Sequence, residues 1–219
     1  MAFSDPGIKA SLFKPEVISA GGSAIGVAQW SSFGEQTMAI PTLRIFDDAS
    51  YKSFISQLDS MSRVYGGSTC VSCGMDVAIN DILTNGFVTP AGVAGRLVVD
   101  LSGDGSNNDG PDPLGQKAIA ESNGIIINAL AIEDPFLVTY YQNNVATIAT
   151  AINGGTQAGF VLFADNFANF QAAATTKLGK ELNDTQVPAG LPIFGVATAF
   201  GSIRKMRQLS SRLQNFAGA

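Results

Sequence analysis

Residues Arg96 to Gly110, Arg-Leu-Val-Val-Asp-Leu-Ser-Gly-Asp-Gly-Ser-Asn-Asn-Asp-Gly, constrain the fold more than any other stretch of the chain. A run of strand-forming residues enters a cluster of short oxygen-bearing side chains and glycines, as happens where a buried parallel strand ends at the carboxyl edge of a sheet. Such an edge collects ligands. Asp104 stands between two glycines, and Ser102 and Asp100 precede it by one and two alternations on the same side of an extended chain. These hard oxygen donors suit Mg²⁺, Ca²⁺ or Mn²⁺ rather than zinc. The competing reading is a polar surface loop in which Asn and Asp only form turns.

Around this stretch, apolar runs and helix-spaced stripes alternate. Ala24–Ser31 reads as a buried strand and Gln36–Ile45 as an edge strand, because Pro41 lacks a ladder donor. Asp47 or Asp48 caps a helix with Tyr51, Phe54, Leu58 and Met61 on one face. A second helix spans Val71 to Leu83, preceded by Ser68 and Thr69, whose hydroxyl serves either as a cap or as a donor aimed at the sheet edge near Asp104. Helices follow at Leu114–Ser122, from Pro135 to Gln142, and, capped by Asp165, to about Leu182 with Phe167, Phe170, Ala174, Leu178 and Leu182 inward. Gly124–Ile132 is a central strand and Gly159–Ala164 a short final one, while residues 1–22 read as irregular and 145–152 fit either helix or loop. The expected fold class is α/β, a mostly parallel, doubly wound sheet covered on both faces by helices.

The chain has no histidine, which excludes His-based acid–base and triad chemistry and most catalytic zinc sites. Its 18 acidic residues all lie at or before Asp184, against 9 basic ones in that span, which disfavours nucleic acid as a partner. Arg204, Lys205, Arg207 and Arg212 follow without any acidic neighbour. Cys70 and Cys73 form a lone CxxC, open to three readings: a disulfide, buried thiols, or a redox or metal role. Residues 185–203 carry no charge; at 1.5 Å per residue they barely approach the ~30 Å core of a bilayer, which leaves three readings: a marginal membrane segment, a processing signal, or a plain amphipathic tail helix.

Val-Ala-Gln-Trp-Ser, Gly-Gly-Ser-Thr69, Val-Val-Asp-Leu-Ser-Gly-Asp104-Gly-Ser-Asn-Asn, Gly-Ile-Ile-Ile-Asn-Ala-Leu-Ala-Ile, Tyr140-Tyr141-Gln-Asn-Asn-Val and Phe160-Val-Leu-Phe-Ala-Asp-Asn-Phe occur in that order. Together they resemble the DUF1194 family of the von Willebrand factor type A superfamily. The resemblance covers residues 1–182 and implies a Rossmann-like von Willebrand A domain there; a linker over 183–187 and an apolar and basic segment over 188–212 are read from the composition. The resemblance also implies a metal site using Thr69 and Asp104, behind which the strand alternation places Ser102 and Asp100; a Cys70–Cys73 disulfide is expected if the chain is exported. The family's Asp-x-Ser-x-Ser turn and the central strand that carries it are absent, so Mg²⁺, Mn²⁺ or Ca²⁺ should bind weakly or not at all. The sequence then reads as an internal start, or as a divergent copy whose flanking strands close up.

The C-terminal segment resembles PEP-CTERM-like sorting tails, which implies a cell-surface, periplasmic or extracellular location and membrane contact through the tail. The implied function is an adhesion or protein-interaction module, not an enzyme, whose partner presents a carboxylate or belongs to an extracellular matrix. Two alternatives stand beside it: a metal-assisted hydrolase using Asp100 and Asp104, and a structural surface protein without a working site.

Overall fold

The computed structural model describes residues 2–87, 96–148, 150–152, 155–183 and 195–200. A six-stranded sheet runs in the order β2 (Gln36–Ile45), β1 (Ser23–Trp30), β8 (Gly195–Phe200), β3 (Leu97–Gly103), β4 (Ile125–Ile132), β7 (Val161–Ala164). All neighbours pair in parallel except β1 and β2. β2 therefore lies at an edge, where Pro41 leaves no central ladder short of a donor.

Side-chain alternation divides the strands between two cores. Trp30, Val99, Leu101, Ile125, Ile127 and Ala129 pack with α4 (Val71–Thr84), α5 (Pro113–Ser122) and α6 (Phe136–Asn144). Ile25, Val27, Val98 and Ile126 pack with α1 (Pro6–Leu12), α3 (Asp48–Ser60) and α7 (Phe167–Asn183). Helices thus cover both faces of a mixed sheet. Their starts follow local chemistry: Asp47 closes a capping box on α3, and Asp112 caps α5 just before Pro113.

Four expectations change. Residues 1–22 are largely helical: Asp5 caps α1 ahead of Pro6, and Pro15 opens the short α2 (Pro15–Ser19). Residues 145–152 are neither one helix nor plain loop, since β5 (Thr150–Ile152) forms a hairpin with β6 (Gly155–Gln157). Asn166 rather than Asp165 accepts from a backbone N–H in the first turn of α7, that of Asn169 at 3.0 Å. The largest change concerns the C-terminal segment. Residues 195–200 form the central strand β8, so β1 and β3 do not close up on each other. The reading of this segment as membrane-associated is corrected with it: among the described residues no helix is long and apolar enough to cross a membrane. The expected linker from 184 onward, and residues 188–194 and 201–212 of the tail, lie outside the described residues.

Candidate functional site

Because β1, β8, β3, β4 and β7 run in parallel, the loops after β1, β3, β4 and β7 gather at one edge, where the entry to α4 also lies. There Thr69 lies against the turn that follows Asp104: a Cβ added at Gly105 would lie 2.9 Å from Thr69 Oγ1. Thr69 is not the cap of α4; Cys70 holds that position. Instead the Thr69 backbone N–H donates to Asn108 Oδ1 at 2.8 Å, and its carbonyl accepts from the backbone N–H groups of Asn108 and Asp109. Asn107 Oδ1 accepts from Ser72 N–H at 3.3 Å and Asp109 Oδ2 from Phe33 N–H at 2.9 Å. The Tyr141 hydroxyl donates to the Gly105 carbonyl at 2.8 Å, and burial raises its pKa far above the ordinary value. The 104–110 turn is therefore stitched to α4, α6 and the loop after β1.

Cys70 and Cys73 form a disulfide with Cα atoms 5.2 Å apart at the start of α4. Both are buried, and a Cβ at Gly110, whose φ of 73° suits glycine, would lie 2.5 Å from Cys70 Sγ. The turn therefore lies directly over the disulfide. Behind it, the Trp30 ring lies against Gly74, where an added Cβ would approach to 2.7 Å, so α4 sits close to the end of β1.

Asp100 and Ser102 are not part of this edge arrangement. Both are buried, and Asp100 forms an ion pair with Lys177 of α7. Lys177 Nζ also lies 4.0 Å from Glu181 Oε1, which accepts from Asn128 Nδ2 at 2.8 Å. Arg96 donates to the Glu181 carbonyl and, at 3.1 Å, to Gln157 Oε1. Glu181 Oε2 is buried without a hydrogen bond. Burial pushes Lys177 down to about 8 despite the opposing Glu181 charge, and burial raises Glu181 against the pull of Lys177, Asn128 and Arg96. The sequence reading missed this cluster. Lys177 and Glu181 share the helical face that carries Ala174, Leu178 and Leu182, and two charges four residues apart within an apolar stripe were the available signal.

The residues present do not fit the implied cation. Hard divalent ions take six or more oxygens, whereas the carboxyl and amide oxygens of Asn107, Asn108 and Asp109 are engaged by backbone N–H groups. Among the described residues no group of three or more His, Cys, Asp or Glu could hold a metal, which corrects the expectation of a metal-binding protein.

These features define an α/β domain with a mixed sheet, a stitched polar turn at its carboxyl edge and an ionic cluster buried beneath α7. Over residues 1–186 the sequence matches the family described as "Protein of unknown function (DUF1194)", and the chain belongs to that family. β8 lies beyond the matched span. No curated protein matches the chain. Among solved structures it is similar in fold to proximal thread matrix protein 1 (PTMP1) from the mussel byssus, with a TM-score of 0.56 and 20% identity over 78% of this chain. The chain spans only 41% of that protein. A conserved hypothetical protein BatB from Bacteroides thetaiotaomicron aligns with a TM-score of 0.45 and 16% identity, covering 74% of this chain and 80% of that one.

Proposed function

We propose that the chain is a non-catalytic structural domain of an exported or cell-surface protein, built on a von Willebrand A-like frame and without a working metal site. The observation that carries this reading is the use made of the edge turn. The side-chain oxygens of Asn107, Asn108 and Asp109 accept from the backbone N–H groups of Ser72, Thr69 and Phe33, so these polar groups of the turn serve the fold. The hydrolase alternative needs Asp100 beside Asp104 at an accessible site, but Asp100 is 4% exposed and paired with Lys177. The disulfide supports export, since such bonds persist in oxidising compartments. The proposed partner is accordingly a neighbouring matrix or envelope component rather than a carboxylate held through a bound cation.

Calorimetric titration of the full chain with Mg²⁺, Mn²⁺ and Ca²⁺, paired with thermal unfolding, tests the reading. The expected result is no saturable heat and no rise in Tm, with Asp104→Ala behaving like the parent. Saturable binding that Asp104→Ala abolishes would overturn it.

A further inference from the structure

We propose that the carboxyl edge of the sheet is a docking surface for the chain's own basic segment, residues 201–219, in the same molecule. Among the described residues, three of the four most exposed large apolar side chains lie at this edge: Phe136 (64%), Phe33 (63%) and Val64 (58%). Exposed apolar side chains gathered at one end of a domain mark candidate interaction surfaces. Carboxylates flank them. Asp112 and Asp134 accept from the first turns of α5 and α6, Asp109 accepts from the Phe33 N–H, and Asp104 stands at the end of β3. In the loops that form this edge, Arg63 is the single basic residue among those described; Lys9, Lys14, Arg44 and Lys52 belong to segments at the amino end of the sheet. The edge is therefore apolar and anionic at once, and it fits a segment that is apolar and cationic.

Such a segment begins there. Phe200, the last residue of β8, pairs with Gln29 on one side and Ser102 on the other, so the chain leaves the sheet between the ends of β1 and β3. The next 19 residues contain Arg204, Lys205, Arg207 and Arg212 interleaved with Ile203, Met206, Leu209 and Leu213, and no acidic residue. Arg204 stands four residues past Phe200, at most ~14 Å away when extended and ~6 Å away in a helix. Six strands at ~4.8 Å spacing span about 24 Å, so either conformation leaves the first basic side chains over the acidic edge. Tethering at so short a range corresponds to a millimolar effective concentration, which favours this occupant over a dilute one. The inference does not rest on the proposed structural role.

Zero-length carbodiimide coupling, which joins a carboxylate to an amine as an amide, reads the contact in the dilute full chain. Lys205 should couple to Asp104, Asp109, Asp112 or Asp134 within one molecule. The yield should fall severalfold in Arg204→Ser/Arg207→Ser, which keeps the reporter lysine. It should fall likewise in about 1 M salt, where screening acts within ~3 Å. Trypsin should cleave after Arg204, Lys205 and Arg207 several times more slowly at low salt than at high salt. Coupling only to Asp47, Asp48 or Glu16, or salt-independent cleavage, would overturn the proposal. Coupling found only between differently mass-labelled copies would overturn it in favour of a second copy as the occupant.

Discussion

Asp100 lies within β3 and Asp104 one residue past its end, four positions apart in the sequence, yet they end in opposite environments. Asp100, near the middle of β3, is sealed under α7 against Lys177. Asp104 lies just past the strand end, partly exposed, in a turn whose neighbours bind backbone N–H groups. The contrast shows that depth in the sheet, more than residue type, decides what a carboxylate does. In the interior a charge needs a counter-charge and complete hydrogen bonding, because desolvation costs several kcal/mol per ion. At the edge, water screens the charge, and the oxygens are free to close turns and helix starts.

Breaking the interior half of this comparison should have the largest effect. Lys177→Met leaves Asp100 buried without its direct cation, and urea unfolding should show a loss of about 3–5 kcal/mol. Replacing both partners, as Lys177→Met/Asp100→Leu, should recover more than half of that loss, since an apolar pair carries no desolvation penalty. If the double variant were no more stable than the single one, the ion pair would not be what makes the site sensitive.

The edge should respond less. Cys70→Ala/Cys73→Ala opens a loop of only a few residues, for which loop entropy corresponds to about 2 kcal/mol, read as a lower Tm in the absence of reductant. A loss as large as that of Lys177→Met would place the edge turn and the core in one cooperative network and dissolve the distinction between them.

The smallest expected change is one of slope. Burial raises Glu181 above its ordinary 4.5, so the folded chain holds that proton more tightly than the unfolded chain does. The stability linked to this group is complete below 4.5 and drains away as pH rises through the folded value. Lys177, lowered to about 8 from 10.5, changes stability only within that higher window, where its contribution rises with pH. Glu181→Gln should therefore flatten the decline between pH 4.5 and about 8 in urea unfolding measured across pH. An unchanged slope would mean that Glu181 is ionised in the folded chain.

Local pattern alone set much of this molecule. The apolar run of Ile125–Ile132 is fully buried as β4, Pro41 lies in an edge strand, and the Phe167, Phe170, Ala174, Leu178 and Leu182 stripe packs inward. The Gly-Asp-Gly turn closes the carboxyl end of β3, and Thr69 arrives beside it. These features depend on residue spacing and turn chemistry within a few positions, which a sequence displays directly. Three others were decided only in three dimensions. The Cys70–Cys73 bridge was one of several chemistries open to a CxxC until α4 buried both sulfurs beneath Gly110. Lys177 and Glu181 became core residues because α7 packs over Asp100 and Asn128, contacts that join positions more than fifty residues apart. Gly195–Phe200 became the central strand because parallel pairing is non-local: six small and apolar residues look alike as a tail or as a strand, and only the two open ladders of β1 and β3 make them a strand.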